Sequence, residues 1–310
     1  MINDCVQHEP VLLKEVLHYL NASQEGVYVD ATFGAGGYSS AILSSNKKNK
    51  ILAIDRDPNV NVTVDQFKKR YGERFSFVQN RFSQLEECLR KENIELVDGI
   101  VFDLGVSSMQ LDNGERGFSF SKKAELDMRM GNNDISAYEV VNDFPEEEIA
   151  NIIWQYGEES YARKIAKSIV QERSISPIKY TTDLAKIITA IKPEYKSKIH
   201  PATKSFQAIR IFVNKELEEL RRVLEVTKKI LKKGGRLVVV SFHGLEDKIV
   251  KYFIKQNGGK QSQGNRYLPV IESKEQYFSV ITNKIIKAGL VEIERNPRSR
   301  SAILRAVERI

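Results

Sequence analysis

The chain has 310 residues, 41% of them hydrophobic and 29% charged, an ordinary globular balance for one large domain or two smaller ones. Lys and Arg outnumber Asp and Glu by 48 to 41, a formal charge of +7, which favours a polyanionic partner such as nucleic acid without requiring one. Two cysteines without metal-ligand spacing, Cys5 and Cys88, argue against a disulfide framework and a zinc site. The first residues lack a secretory pattern and no apolar run reaches roughly 18 residues, so no membrane span and a cytoplasmic address are expected.

In chain order, 11–20 has the apolar spacing of an amphipathic helix. Val27-Tyr28-Val29-Asp30 reads as a short buried strand. It runs into the turn Gly34-Ala35-Gly36-Gly37 and a helix starting at 38–43. Further strands are expected at 51–55, 75–78 and 99–103. Strands alternating with helical patterns imply βαβ units and a parallel sheet, hence an α/β fold. From about 110 to 205 no convincing buried strand is found. Segments 145–156, 160–172 and 182–191 have helical periodicity, so this stretch reads as a helical domain inserted into the sheet domain. One long helix is expected over 204–232, with Phe206, Ile209, Val213, Leu217, Leu220 and Leu224 in one apolar stripe and Gly234-Gly235 ending it. A fifth strand follows at 236–241. Two more are expected at 291–295 and 302–308, the sixth parallel to the first five, joined by Asn296-Pro297-Arg298-Ser299-Arg300.

In an open parallel sheet, ligands bind beyond the carboxyl ends of the strands. Four features fall there. The turn from Asp30 to Gly37 follows a strand and opens a helix, and its glycines allow close backbone approach; it is not a complete G-x-G-x-x-G, and such turns are often only turns. Asp55 ends the second strand, 55 − 36 = 19 residues after Gly36, where a carboxylate can accept from both ribose hydroxyls of a nucleoside. Phe82, past the third strand, is placed to pack on a base, although a lone aromatic is more often core. Asp103, with Ser107 and Ser108 after it, puts an acid and two hydroxyls at the mouth of the sheet, where it could equally cap a turn. A nicotinamide enzyme would also want an acid near position 55 but would more often show the full glycine fingerprint. A late hairpin added to such a sheet is a methyltransferase trait, an analogy of fold alone.

Several longer motifs go further: His8-Glu9-Pro10-Val11-Leu12-Leu13, the Asp30–Gly37 turn, Ala53-Ile54-Asp55-Arg56-Asp57-Pro58, Asp98 through Gln110, Arg116-Gly117-Phe118-Ser119-Phe120 and Leu126-Asp127-Met128-Arg129-Met130. They continue with His200 through Ile211, Ser241-Phe242-His243-Gly244-Leu245-Glu246-Asp247-Lys248 and Pro297-Arg298-Ser299-Arg300-Ser301. In this order, nearly end to end, they resemble the bacterial 16S ribosomal RNA cytosine-N4 methyltransferases of the RsmH (formerly MraW) type. The resemblance implies a Rossmann-like class I methyltransferase core, with a mostly parallel seven-stranded sheet and a C-terminal antiparallel hairpin, spanning 1–110 and 206–310. An all-helical substrate-recognition insert would span 111–205. The implied reaction is methyl transfer from S-adenosyl-L-methionine to the exocyclic N4 of one cytidine, position 1402 of 16S ribosomal RNA in the small ribosomal subunit. By position, cofactor contacts fall on Gly36, Gly37, Tyr38, Asp55, Phe82, Asp103 and Gln110. The family usually has His where this chain has Tyr38, Pro where it has Glu125, and Ser where it has Gly244.

Asp103 is the first candidate to accept a hydrogen bond from the reacting amine, with His243 and Glu246 holding the base or relaying its proton. Asp103 could instead serve the cofactor's methionine end. Arg295, Arg298 and Arg300, expected at the carboxyl side of the sheet, are candidate phosphate contacts, as is Lys204 at the end of the insert. Arg163, Lys164 and Lys167 on one helix of the insert offer a second basic surface that could also be mere solvation. No metal cluster and no membrane partner are expected, and a homodimer is an allowed assembly. The rival readings are a methyltransferase with a substrate other than ribosomal RNA, and an RNA-binding assembly factor keeping the fold without catalysis.

Overall fold

The computed structural model describes residues 10–107, 109–110, 114–131, 135–191, 199–258 and 275–310. Cys5, His8, Glu9 and Ser108 lie outside them. The chain divides into two compact units: Met1–Gly105 with Leu217–Ile310, and Val106–Glu216.

The first unit is built on a seven-stranded sheet. Its strands are β1 (Val27–Asp30), β2 (Lys50–Asp55), β3 (Phe75–Gln79), β4 (Val97–Asp103), β5 (Leu231–Ser241), β6 (Phe278–Val280) and β7 (Ile303–Arg309). The order is β3-β2-β1-β4-β5-β7-β6. β1 to β5 are parallel, and β7 is antiparallel to both β5 and β6. Chain order reverses between β1 and β4, which opens the switch-point crevice at their carboxyl ends.

The apolar runs that mark these strands exist because both faces are covered. On one face Val29, Leu52, Ile54, Ile100, Phe102 and Val239 meet α4 (Leu85–Lys91), α10 (Glu216–Ile230) and α11 (Gly244–Asn257) through Leu85, Leu89, Leu220, Leu224, Val250 and Phe253. On the other, α1 (Leu13–Leu20) and α2 (Gly37–Ser45) cover the alternate residues. Gly99 is small for this packing: a Cβ there would stand 2.8 Å from Leu20 and 2.9 Å from Tyr28. A further helix, α3 (Asn61–Tyr71), packs at β3.

Two expectations are corrected at the C-terminal end. The sixth strand is Phe278–Val280; its direction is as expected, parallel to the first five by way of β7. Residues 291–295 instead belong to a short helix, α12 (Leu290–Arg295). Their alternating pattern is not that of a half-buried strand, because Leu290 and Val291 are exposed. The glycine pair does not end a helix either. Gly234, at φ 79, lies within β5, where the pairing to β4 shifts register.

The second unit contains α5 (Ala137–Asn142), α6 (Glu146–Gly157), α7 (Ala162–Ile175), α8 (Thr181–Ile191) and α9 (Thr203–Asn214), and no strand among the described residues. Its core is formed by Ile149, Ile153, Ile165, Ile169, Leu184, Ile188, Phe206 and Ile209. Gly157 lets α6 approach α9, since a Cβ there would be 2.7 Å from the Lys204 carbonyl. The helix expected over 204–232 is two helices, broken at Lys215 in the left-handed region (φ 53). The Asn214 amide explains the break: it donates to the Met128 carbonyl at 2.7 Å and accepts from Met130 N–H at 2.9 Å. The Arg116 and Leu126–Met130 motifs are likewise tied together, Met128 N–H donating to the Arg116 carbonyl.

Candidate active site

Three strands of the first unit end in carboxylates: Asp30 on β1, Asp55 on β2 and Asp103 on β4. The register sets Asp30 beside Ala53 and Val101, and Asp103 beside Val240, so their carboxyl ends form one edge.

Between Asp30 and α2 the chain turns through Gly34 (φ 51) and Gly36 (φ 77), conformations that side chains with a Cβ resist. The two glycines before Tyr38 are held by the protein itself. A Cβ on Gly36 would lie 2.5 Å from Phe67, and one on Gly37 2.2 Å from Pro10. The turn leaves the first N–H groups of α2 without intrahelical partners, donors suited to an anionic group.

Asp55 is locked in place. Its two oxygens accept from Gly34 N–H at 2.8 Å and Asp57 N–H at 2.9 Å. Burial pushes its carboxyl up to about 6 despite these bonds. A carboxylate has about four acceptor positions, and with the Arg56 backbone N–H also bonding to Asp55, one remains for a sugar hydroxyl.

Asp103 is less satisfied. Its N–H donates to Thr32 Oγ1 at 2.7 Å, which ties β4 to the glycine turn. Its Oδ1 is shielded from solvent and has no hydrogen-bond partner. Burial, then the charges of Asp30 and Glu246, pushes its carboxyl up to about 8. Asp30, fully buried, accepts from Ser39 Oγ at 2.7 Å and is pushed up to about 6, chiefly by burial. Neither acid has a cationic partner among the described residues. Asp30, Thr32 and Ser39 thus join the site, although sequence reasoning assigned them no role. An acid ending an apolar run, with a hydroxyl nine residues on, was the available signal.

After β5, His243 and Glu246 form a reciprocal cap on α11. Glu246 is 2% exposed and accepts from Phe242 N–H at 2.8 Å and His243 N–H at 3.3 Å. Its other oxygen lies 3.1 Å from His243 Nε2. Both residues stand at the carboxyl edge, and holding the helix start is their visible work. Gly244 has nothing within 4 Å of where a Cβ would be, so the missing hydroxyl leaves no packing defect.

Tyr38 is buried, and its hydroxyl donates to the Val11 carbonyl. Any ligand contact at this position therefore runs through the backbone. The neighbouring Leu12 sits in the left-handed region (φ 54), with its N–H on Glu292 Oε1 at 2.7 Å. Tyr38, Pro10 and Glu292 strap the segment before α1 onto the glycine turn. Phe82 packs edge-on against Phe102, ring centroids 5.7 Å apart. Gln110 belongs to the second unit, where its side chain accepts from Ser107 N–H at 3.0 Å.

The exposed Arg298 and Arg300 occupy a 3-10 turn, Pro297–Ser301, just before β7. Because Ile303 pairs with Ser241, this turn lies at the same carboxyl edge. Arg295, also exposed, ends α12 and is not the end of a strand. Lys204, in the second unit, donates to the Glu158 carbonyl at 3.0 Å and so caps the end of α6.

The edge fits a cationic nucleoside: a fixed carboxylate acceptor for a ribose at Asp55, and two buried acids without a counter-cation at Asp30 and Asp103. Comparison with known proteins agrees. The chain is 49% identical over 304 residues to the ribosomal RNA small subunit methyltransferase H of Wolbachia sp. subsp. Drosophila simulans (strain wRi), covering 98% of this chain and 99% of that one. It is also 49% identical to the protein of that name from Rickettsia prowazekii (strain Madrid E), covering 98% of each. The Granulibacter bethesdensis protein of that name is 46% identical, over 97% of this chain and 91% of that one. The family model described as the MraW methylase family matches residues 5–310, and the chain belongs to that family.

Proposed function

We propose that this chain is an S-adenosylmethionine-dependent methyltransferase that modifies the exocyclic N4 of a cytidine, position 1402, in 16S ribosomal RNA of the small ribosomal subunit, in the cytoplasm. The observation that carries the reading is the buried, unpartnered Asp103 Oδ1 at the switch point of the sheet. Family membership and the names of the relatives supply the substrate class. No helix among the described residues is long and apolar enough to cross a membrane.

When bound, S-adenosylmethionine supplies a methyl group already activated by its positive sulfur. The protein's task is then mainly to hold and orient. Asp55, fixed by backbone N–H groups, accepts from a ribose hydroxyl. The start of α2 offers N–H donors to the carboxylate end. Asp103 Oδ1 accepts a hydrogen bond from the cytosine amine, favouring pyramidal nitrogen and taking up its proton as charge develops. Thr32, through the Asp103 N–H, and Ser39, through Asp30, keep these acids in register. The capped start of α11 fixes His243 and Glu246 at the same edge. Exposed Arg295, Arg298 and Arg300 supply phosphate contacts that offset the cost of unstacking the base, about a few kcal/mol.

The test is transfer of labelled methyl from S-adenosylmethionine to unmethylated small subunits and to protein-free 16S RNA, followed by nucleoside analysis. Label in N4-methylated cytidine is the expected result. Cofactor binding without label on either acceptor would point to another substrate. Neither binding nor label would leave an RNA-binding factor without catalysis.

A further inference from the structure

The chain has a single tryptophan, and it is not in a core. Trp154, on α6, is 66% exposed. It lines a groove of about 750 Å³ between α6 and the start of α7, together with Asn151, Ser160, Tyr161, Arg163 and Lys164. Every residue lining the groove comes from one stretch of the second unit.

Its chemistry is one-sided. Two rings, two cations, an amide and a hydroxyl line it, and no carboxylate does. Glu146, Glu147 and Glu148 crowd into the first turn of α6, outside the groove. Glu159 is 1% exposed, with its carboxylate on the Tyr161 N–H at 3.0 Å. The first turn of α7 has no acid, although acids are the favoured residues there. Arg163 and Lys164 are exposed and form no ion pair among the described residues; the Lys164 ammonium lies 5.7 Å from the Tyr161 ring centroid. A large exposed indole is costly to leave in water, and cations at a helix start are electrostatically unfavourable unless an anion joins them.

We infer that this groove binds single-stranded RNA, a base stacking on Trp154 while Arg163 and Lys164 contact the adjoining phosphates. Stacking on an aromatic ring and a basic flank are how proteins hold unpaired strands without reading sequence. The inference rests on the ribosomal RNA reading and gives the second unit a defined contact with RNA. The groove does not select cytosine; it holds unpaired nucleotides of any sequence.

Because Trp154 is the sole tryptophan, its fluorescence reports this groove alone. The full chain is titrated with a short single-stranded oligoribonucleotide of mixed sequence, following tryptophan emission and, separately, anisotropy of the labelled RNA. Saturable quenching that tracks anisotropy is expected. Trp154→Ala should weaken binding roughly tenfold and Trp154→Phe much less. Arg163→Ala with Lys164→Ala should flatten the salt slope by about 1.4, near 0.7 per lost phosphate contact. RNA binding that leaves tryptophan emission unchanged overturns the inference. So does an emission change that follows protein concentration without RNA, which would assign the groove to a second copy of the chain. Methyl transfer to unmethylated small subunits and to 16S RNA, measured with the same protein preparation, separates the two readings. Transfer with unquenched tryptophan removes the groove and leaves the enzyme; quenching without transfer leaves the groove and removes the enzyme.

Discussion

Cofactor binding should release a proton, and Asp103 is the source. Its carboxyl titrates near 8 because it is buried beside Asp30 and Glu246 with no cation at hand. At pH 7 roughly ten parts in eleven are protonated, from 1 + 10^(8−7). A positive sulfonium nearby favours the carboxylate, so binding must first displace the proton. Apparent affinity should therefore be about elevenfold weaker at pH 7 than at well above pH 8, and about a hundredfold weaker at pH 6. Calorimetry from pH 6 to 9 measures this directly. At pH 7, repeating it in two buffers of different ionisation enthalpy should reveal release of about 0.9 proton per cofactor. Asp103→Asn should remove both the pH dependence and the proton. The free protein carries the opposite signature. Between the unfolded value of 3.8 and about 8 the folded state holds the extra proton, so stability falls as pH rises through that window. Asp30 and Asp55 add the same sign between 3.8 and about 6. Affinity constant from pH 6 to 9, with heats independent of buffer, would refute the reasoning.

Five variants test the remaining assignments. Asp55→Ala should weaken cofactor binding about tenfold or more, since charge-assisted hydrogen bonds are worth about 1.5–3 kcal/mol each; unchanged calorimetry would remove Asp55 from the site. Tyr38→Phe leaves the Val11 carbonyl without its donor in a buried place, a cost of about 1–3 kcal/mol, and should lower the melting temperature by several degrees. Gly37→Ala should cripple cofactor binding by driving a Cβ into Pro10, whereas Gly244→Ser, with open space, should leave melting temperature and turnover near wild type. Replacing Arg298 and Arg300 with Ala should reduce the salt slope of RNA binding by about 1.4–1.8, and an unchanged slope would exclude them as phosphate contacts.

The central strands, the glycine turn and the acids at their ends were legible because a parallel sheet covered on both faces leaves continuous apolar runs that stop where the crevice opens. What escaped was set by distant contacts. The break at Lys215 follows from Asn214 reaching back to Met128 and Met130, which no local pattern announces. β6 is three residues long and only Phe278 in it is buried, too little signal to see. Residues 291–295 alternate like a strand but coil into α12, where Glu292 holds the Leu12 N–H. The α11 cap was hidden because its first residue is His243 where Ser, Thr, Asp or Asn is usual. Glu246 therefore read only as a group to hold the base or relay its proton, and its carboxylate is also bound to backbone N–H groups.

The net charge of +7 conceals two electrostatic layers at the carboxyl edge of the first unit. Inside lie Asp30, Asp55 and Asp103, buried or half-buried, each with its carboxyl held above the usual carboxylate range. Outside lie Arg295, Arg298 and Arg300, exposed on α12 and the turn before β7. A site made acidic throughout would repel the RNA backbone, and one made basic throughout would repel a sulfonium. Burial resolves the conflict. On the proposed reading the buried acids act over a few ångströms on a ligand that enters the crevice. The arginines, in water, would act over about a Debye length on a polyanion that stays outside. Raised salt should therefore weaken RNA binding much more than cofactor binding. The proton held by Asp103 removes one negative charge from the inner layer until a cation arrives to replace it.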